Sequence, residues 1–531
     1  MWDLVITGGT VVDGSGRPGV QADVAVTGDR ITAVGDCSRG QAVRRLDARG
    51  LVVAPGFIDM HSHSDLAVFG EPALEPKLQQ GITLELLGQD GLGVALVPPE
   101  GQAAWADLLE GLDGRAPEPW PWSRFGEYRA ALAAVRPGPN LAALVTYGAV
   151  RYSVMGMQPG RPGAEEQAAM QRLVAEAMAE GAKGLSLGLI YQPCVYAEPD
   201  ELVALYRVVA ASGGILVVHL RNEADFLPDA IDEVAAIGLE TGVPVHLSHL
   251  KIAGRRNWGR AEEVLERLQR WRERGVDLTF DQYPYTAGST YLHAILPPWA
   301  SQGTADAIAA RLGDPAVREA VKEAIRTGAG SGAVGAGWDN LAGLAGWENI
   351  RITYVGHPER RWMEGLSVAE IGERLGRAPD DAALDLIRDE RGAVGMVDFV
   401  MDEATIRTFL TAEGGMLSTD GLMGGRPHPR AYGTFPRVLG RYVREQRVLT
   451  LEAAVARMAA APARRLGLRD RGRIAPGLAA DLVVFDPATI RDRATYAEPR
   501  QFPEGIRAVV VNGRVAVEEG RPGESRHGRA L

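Results

Sequence analysis

Residues 52–65 read VVAPGFIDMHSHSD, an apolar run that ends in two histidines spaced two residues apart. Continuous apolar runs are typical of strands that are buried on both faces, as in parallel sheets. In an extended strand, residues i and i+2 point to the same side, so His61 and His63 can both be directed at one ion. This stretch predicts a buried strand that carries a pair of metal-binding side chains at its carboxyl end.

Seven further apolar runs follow along the chain, separated by amphipathic stretches rich in Ala, Glu and Arg. Alternation of strands with helices indicates βα units, and eight such units close into a (β/α)8 TIM barrel. The fold class is therefore predicted to be α/β, with the barrel over residues 54–469. The eight predicted strands are 52–59, 82–87, 141–148, 184–189, 215–220, 244–249, 276–281 and 415–420.

The two ends of the chain have a different pattern of apolar residues from the middle. Short alternating apolar runs broken by Gly and Asp occur in 1–53 and again in 470–531. This pattern predicts antiparallel strands joined by tight turns. Because neither end has enough strands to bury a core, we expect both to combine in one small β-sandwich domain.

Two stretches interrupt the alternation. Residues 98–125 include the Pro- and Trp-rich segment PEPWPW, which predicts a surface excursion over the barrel mouth. Residues 290–395 precede the last barrel strand and are too long for a structureless connection. They include the glycine-rich loop 328–340, and we expect an inserted subdomain or lid.

Composition excludes several classes of protein. The 531 residues carry a net charge of −11, which argues against a nucleic-acid-binding surface. No apolar run is long enough to cross a bilayer, and the first residues lack the pattern of a secretory signal. With two cysteines, Cys37 and Cys194, a reducing compartment is favoured, so we expect a cytoplasmic enzyme with a small-molecule substrate. The oligomeric state is left open.

Chemistry-bearing side chains collect at the carboxyl ends of the predicted strands. Beside the first pair, His219 ends the fifth strand, His249 ends the sixth, and Asp420 ends the eighth. In a (β/α)8 barrel these ends form the rim on which active sites are built. Imidazole and carboxylate ligands suit Zn²⁺, with Mn²⁺ or Co²⁺ as possible substitutes, and the number of ions (one or two) is left open.

With these residues and the segments around them, the chain resembles the D-aminoacylase (N-acyl-D-amino-acid deacylase) family of the amidohydrolase superfamily. The resemblance extends from about residue 3 to 515, and its most specific block follows Asp420. The segments that carry it are APGFIDMHSHSD (54–65), GLSLGLIYQPCVYA (184–197), HLRNE (219–223), HLSHLK (246–251), DQYPYTAGST (281–290) and STDGLMGGRPHPRAYGTFPRVLGRYVRE (418–445).

The resemblance implies how the metal ligands are divided. His219 and His249 would bind the tighter zinc ion, while His61, His63 and Asp420 line the neighbouring position. Many members bridge the two positions with a cysteine at the end of strand two, where this chain has Asp90. Other superfamily members use a carboxylated lysine on strand four; here Ser186 stands at that place, and Lys183 is expected to face away.

The resemblance also implies catalytic and substrate-binding roles. Asp420 would take a proton from the attacking water and pass it to the leaving amine. Arg430 would grip the substrate carboxylate with two parallel hydrogen bonds. Supporting substrate contacts are expected from Lys251, Tyr283, Tyr191 and Ser289, and support of His219 is expected from Arg221 and Glu223.

The sequence thus predicts zinc-dependent hydrolysis of N-acyl-D-amino acids to a D-amino acid and a carboxylic acid. One alternative keeps the metal site and changes the substrate to a D-residue-containing peptide, dipeptide or natural-product amide. Another is a catalytically silent binding protein that has kept the fold. The presence of all four rim histidines and of Asp420 argues against a catalytically silent protein.

Overall fold

A closed barrel of eight parallel strands forms the centre of the molecule. The computed structural model describes residues 1–115, 119–328, 337–523 and 525–531. Three strands form one parallel sheet and six segments form a second, with the third strand split between them. The barrel strands are Phe57–Asp59, Ile82–Leu87, Asn140–Ala143 with Val145–Thr146, Gly184–Gly188, Ile215–His219, Val245–Leu247, Leu278–Gln282 and Gly415–Leu417.

Backbone hydrogen bonds close the barrel between its last and first strands. The Met60 N–H donates to Leu417 O at 3.4 Å, and the Asp420 N–H donates to His61 O at 2.9 Å. The predicted α/β barrel is therefore confirmed. Its rim carries the first histidine pair next to Asp420, because strands one and eight are neighbours.

The first predicted strand, 52–59, is divided between two sheets. Val52–Pro55 belongs to the sheet of the chain ends, and Phe57–Asp59 belongs to the barrel. The break falls at Gly56, where an added Cβ would lie 2.2 Å from the Thr83 hydroxyl oxygen. A glycine is required there because the Thr83 side chain fills the space that a Cβ would occupy.

Helices follow the barrel strands on the outside. They lie at Ala67–Gly70, Glu75–Leu78, Pro99–Asp113, Phe125–Ala134, Tyr147–Met155, Ala164–Ala179, Pro199–Ala211, Leu227–Thr241, Ala261–Glu273, Glu403–Thr411, Arg430–Arg437, Leu451–Val455 and Ala461–Arg465. Two of them continue as π-helical segments, Val438–Glu445 and Ala456–Ala460. Of the helices in the described ranges, none is both long enough and apolar enough to cross a membrane.

Strands from both chain ends form one nine-stranded sheet. They are Trp2–Val11, Val20–Thr27, Arg30–Gly35, Ala42–Asp47, Val52–Pro55, Leu482–Phe485, Ile506–Val511, Arg514–Glu518 and Arg521–Pro522. The sequence predicted a sandwich of two layers, whereas these strands are hydrogen-bonded into one sheet. The long strand Trp2–Val11 connects them, because it pairs with three other strands. The two ends meet where Val52–Pro55 pairs antiparallel with Leu482–Phe485. The domain limits drawn from the sequence stay a prediction.

The segment before the last barrel strand has its own sheet and apolar core. Gly288–Tyr291, Ile350–Val355 and Val394–Asp398 form a three-stranded antiparallel sheet. Helices pack on it at Ala305–Leu312, Pro315–Thr327, Leu341–Ala345, Val368–Leu375 and Pro379–Asp389. Residues 329–336 of the glycine-rich loop lie outside the described residues.

The other interruption is packed into the molecule, although the sequence predicted a surface excursion. It contains the helix Pro99–Asp113, and Trp105 and Trp122 are at most 4% exposed. The indole N–H of Trp105 donates to Gly93 O, and that of Trp122 donates to Val94 O. Buried tryptophan rings usually have such a partner for their N–H group. The prediction of a surface excursion was wrong because it relied on Pro and Trp content alone. Residues 117–118 of PEPWPW lie outside the described residues.

Candidate metal centre

The first histidine pair follows the shortened first barrel strand. His61 and His63 are both buried, and their Nε2 atoms face each other at 3.2 Å. The His61 carbonyl accepts a hydrogen bond from Asp420, which fixes the two strand ends relative to one another. The i, i+2 spacing therefore places two imidazole nitrogens at one point, as an extended strand end predicts.

A tight turn after the second strand presents Asp90. The backbone of Asp90 is in the left-handed region, with φ of +56°. The turn is held on both sides: the Gly88 N–H donates to the Asp65 carboxylate, and the Gly91 N–H donates to Ser186 Oγ at 3.1 Å. Ser186, at the place where other superfamily members have a lysine, thus supports the turn.

The Asp90 carboxylate lies between two pairs of histidines. It is 3.5 Å from His61 Nε2 and 3.6 Å from His63 Nε2. On its other side it is 3.6 Å from His249 Nε2 and 3.9 Å from His219 Nδ1. Although burial opposes ionisation, the His61 ring and contacts to His249 hold the pKa of Asp90 well below its usual range. A carboxylate at this position can reach two ions at once.

The second histidine pair comes from strands five and six. His219 Nδ1 and His249 Nε2 are 3.0 Å apart, and His249 has a strained backbone φ of +35°. Burial lowers the pKa of His219 to about 4, so its ring is neutral and can act as a ligand. Glu223 lies 3.2 Å from His249 Nδ1 and 3.6 Å from His219 Nε2, and Lys251 Nζ donates to Glu223 at 2.6 Å.

Asp420 stands beside the first pair, three residues past the end of strand eight. Its Oδ1 is 3.3 Å from His63 Nε2, and its Oδ2 is 3.0 Å from Arg430 Nη1. Burial favours the protonated form, but Arg430 and His61 hold the pKa of Asp420 well below its usual range. Asp420 is therefore an ionised carboxylate that can accept a proton.

These residues fit a metal ion. Three groups are close enough for binding, with their ligand atoms within 4.8 Å of one another. Within the described ranges, Asp90 Oδ1 and His219 Nε2 are buried and have no hydrogen-bond partner, which indicates a missing ligand. The groups are His61 with His63 and Asp420, His61 with Asp90 and His249, and His219 with Glu223 and His249.

A cavity opens beside the metal ligands. Of the predicted substrate contacts, four lie in its wall: Tyr191, Lys251, Tyr283 and Ser289. Arg430 is fully buried and is not part of this wall. Its guanidinium stacks on the Tyr283 ring at 4.4 Å and donates to Ser289 O at 3.1 Å.

Asp113 belongs to the centre but was not predicted from the sequence. Its Oδ1 lies 3.0 Å from His63 Nδ1, on the side of the ring away from the other ligands. Carboxylates in this position orient a metal-binding imidazole and increase its basicity. Its segment was assigned to the surface, and no short-range pattern links residue 113 to residue 63.

A buried lysine below the rim was also missed. Lys77 Nζ lies 2.9 Å from Asp59, 3.0 Å from Glu85, 2.7 Å from Ser62 Oγ and 3.0 Å from Thr419 Oγ1. The ammonium thereby connects strands one, two and eight. A signal was available, because Glu85 is the charged residue inside the apolar run ITLELL, and a buried charge needs a partner.

Two other predicted positions, Arg221 and Lys183, and one further histidine, His246, have clear places in the structure. Arg221 pairs with Glu233 and donates to backbone carbonyls, so it does not support His219 as expected. His246 bonds Asp281 and Thr279 and does not face the metal ligands. Lys183 precedes strand Gly184–Gly188, so it lies at the opposite end of the barrel from the rim.

Comparisons with known proteins agree with this architecture. A model described as the amidohydrolase family matches residues 44–517. The N-acyl-D-glutamate deacylase of Alcaligenes xylosoxydans xylosoxydans is 42% identical over 531 residues, which cover 100% of this chain and 96% of that protein. The D-aminoacylase of the same organism is 36% identical over 525 residues, 98% of this chain and 95% of that protein.

A solved structure gives the same picture. The crystal structure of N-acyl-D-glutamate deacylase from Bordetella bronchiseptica, complexed with zinc and a phosphonate inhibitor that mimics the tetrahedral intermediate, matches with a TM-score of 0.85. The two chains are 38% identical, and the match covers 100% of this chain and 99% of that one. With its barrel, its rim ligands and its full-length relatives taken together, this chain belongs to the amidohydrolase family, in the branch of the N-acyl-D-amino-acid deacylases.

Proposed function

We propose that this protein is a zinc-dependent hydrolase that cleaves the amide bond of N-acyl-D-amino acids and releases a D-amino acid and a carboxylic acid. The observation that carries the proposal is the Asp90 carboxylate between two histidine pairs, beside a cavity. The relatives named above are deacylases of D-amino acids, and one was solved with zinc.

The ligand set supports zinc. His219, His249 and Asp90 would hold one ion, and His61, His63 and Asp420 would line a second position. When bound, zinc polarises the acyl carbonyl and lowers the pKa of water to about 7. Because Asp90 is a harder ligand than a thiolate, Mn²⁺ or Co²⁺ could replace zinc more readily here than at a cysteine-bridged site.

Asp420 is the residue that moves the proton. It is ionised, buried and in the cavity wall, so it can accept a proton from the attacking water. It then donates that proton to the amide nitrogen as the C–N bond breaks. Arg430, 3.0 Å from the other carboxylate oxygen, keeps Asp420 in position.

The cavity wall supplies anchors for the substrate carboxylate. Lys251 is the cation in that wall, and Tyr283 has a hydroxyl without a hydrogen-bond partner in the described part of the chain. Arg430, whose Nε is likewise unpaired there, is kept as a proposed anchor, and from its place behind Asp420 and Tyr283 it would act next to these two contacts. Tyr191 and Ser289 complete the predicted contacts.

Metal analysis and an enantiomer assay test the proposal. The purified protein is analysed for zinc, and release of free amine is measured for matched D and L pairs of N-acetyl-amino acids with neutral, acidic and basic side chains. Bound zinc with turnover confined to D-substrates is expected. Equal turnover of both enantiomers, or full activity of the metal-bound Asp420→Asn variant, would refute the scheme.

We also place the enzyme in the cytoplasm. Both cysteines, Cys37 and Cys194, are buried free thiols, which supports a reducing compartment.

A further inference from the structure

Two carboxylates in the cavity wall take no part in the metal centre. Asp339 and Asp398 come from the inserted segment and line the same cavity as His219 and His249. They are only 7% and 4% exposed. A buried carboxylate that pairs directly with no cation is costly, so each of the two requires an explanation.

Asp339 has one oxygen in use and one free. Its Oδ2 accepts a hydrogen bond from the Glu223 N–H at 2.7 Å, which fixes the side chain. Its Oδ1 is buried and has no partner among the residues that the structure describes. The carboxylate is thus held in a defined orientation with an acceptor to spare.

Asp398 ends the strand Val394–Asp398, directly opposite Gly288. An added Cβ at Gly288 would lie 2.6 Å from Asp398 Oδ1, so the glycine leaves the space that this carboxylate fills. Within the described ranges, no Lys, Arg or His lies at ion-pair distance from Asp398. Lys251 and Arg430 act on its charge only from beyond that distance, so Asp398 has no direct ion pair in this part of the chain.

The charges of the cavity wall do not balance. Five carboxylates line it, and Lys251 is the one lysine or arginine among the lining residues. Asp90 and Asp420 belong to the metal position, and Lys251 is engaged by Glu223 at 2.6 Å. Asp339 and Asp398 therefore remain as surplus acids.

The same wall has an apolar part. Ile190, Leu341 and Val400 line the cavity together with the two surplus acids. An aliphatic stem that ends in a charged group matches such a surface, because the methylenes pack on apolar atoms while the charge reaches the carboxylates. Lysine and arginine side chains have this form.

We infer that Asp339 and Asp398 bind a positively charged group of the substrate, so that the preferred substrates are N-acyl-D-amino acids with a basic side chain. This inference rests on the proposed deacylase function. Two relatives are named for N-acyl-D-glutamate. In this cavity a second substrate carboxylate would face two acids, so we expect acidic side chains to be the poorest substrates.

The first test compares substrates of similar size on the zinc-loaded enzyme. We expect kcat/KM for N-acetyl-D-lysine and N-acetyl-D-arginine to exceed that for N-acetyl-D-glutamine and N-acetyl-D-methionine by about tenfold or more, as hydrogen bonds between charged groups allow. N-acetyl-D-glutamate should be slowest. Equal or better turnover of the neutral or acidic substrates would overturn the inference.

Isosteric variants locate the effect. Asp398→Asn and Asp339→Asn should each lower kcat/KM for N-acetyl-D-lysine about tenfold and leave N-acetyl-D-methionine within about twofold. Asp306→Asn, at an exposed acid of the same insertion, is the matched control. If a variant is less stable than wild type, the ratio of kcat/KM for N-acetyl-D-lysine to that for N-acetyl-D-methionine, measured on the same sample, still tests the inference. An unchanged ratio in both variants contradicts the inference.

A binding measurement separates this inference from the proposed function. Calorimetry with zinc-loaded protein compares D-lysine with D-norleucine, which has the same stem without the charge. Tighter binding of D-lysine that is lost in Asp398→Asn supports the cation site even if no amide is cleaved. Equal binding of the two overturns the cation site, while absence of turnover of every N-acetyl-D-amino acid overturns only the deacylase assignment.

Discussion

His63 at the metal centre is oriented from behind by Asp113, whose Oδ1 lies 3.0 Å from its Nδ1. This contact fixes which ring nitrogen is free to bind an ion, because Nδ1 carries the proton that Asp113 accepts. Although burial opposes it, Asp113 and Asp420 raise the pKa of His63 well above its usual value, and the same negative charges would favour a metal ion at Nε2 in place of the proton.

The Asp113→Asn variant tests this role. We expect metal affinity or activity to fall about 10- to 100-fold, the usual cost of losing such a partner. Asp107→Asn on the same helix, at a carboxylate that pairs with Arg115, is the control. Metal titrations of the two variants provide the readout. Affinity and activity equal to wild type in Asp113→Asn would show that the contact has no effect on the ion.

Lys77 is a second buried charged residue whose role can be tested. Its ammonium pairs with both Asp59 and Glu85, and all three side chains are fully buried. Replacing it in Lys77→Met leaves two carboxylates without a cation, and breaking a buried pair in this way costs about 3–5 kcal/mol. We expect a lower midpoint in thermal and urea unfolding.

A lysine near the surface gives the comparison for Lys77. Lys322 pairs with Glu319 and Asp381 at partly exposed positions, so Lys322→Met should change stability by less than about 1 kcal/mol. Similar unfolding midpoints for the two variants would contradict the importance of the buried network.

Among the elements, the turn after strand two depends on its neighbour in strand four. An added Cβ at Gly188 would lie 2.0 Å from Asp90 O, a distance at which the turn has to move. The Gly188→Ala variant should therefore displace Asp90 and lower zinc content and activity together. Gly70→Ala, where an added Cβ meets nothing within 4 Å, should leave both unchanged. Zinc analysis of the two purified proteins checks this.

The barrel elements could be predicted because their signal is local. Each buried strand is a continuous apolar run, and the rim residues His219, His249 and Asp420 stand at or just past the ends of those runs. The two-residue repeat also predicted that His61 and His63 would face one point, as their Nε2 atoms do. The resemblance then added Asp90, which propensity alone would assign to a turn.

Other features depend on contacts between distant segments. The contact of Asp113 with His63 joins residues fifty positions apart, from a segment assigned to the surface. The predicted strand 52–59 is broken because Gly56 meets Thr83 of another strand, which no pattern within 52–59 shows. Arg430 was predicted to grip the substrate carboxylate, and its stacking on Tyr283 places it behind Asp420 instead of in the cavity wall.

Across the whole molecule, the metal centre gathers ligands from strands one, two, five, six and eight. An ion that binds this arrangement and not the unfolded chain stabilises the fold, by about 2.7 kcal/mol when free metal is one hundred times its Kd. We expect a chelator to lower the thermal unfolding midpoint and added zinc to restore it. An unchanged midpoint after complete removal of zinc would contradict this coupling. Mg²⁺ serves as the control, since it avoids imidazole ligands.

The sheet that joins the chain ends has a consequence for how the protein is made. Val52–Pro55 emerges from the ribosome long before its partner Leu482–Phe485. At usual elongation rates, translation of such a chain takes roughly 30 to 100 s, and an unpaired strand edge is open to aggregation throughout that time. The nascent chain therefore needs protection, by a chaperone or by slow collapse, until its last strand arrives.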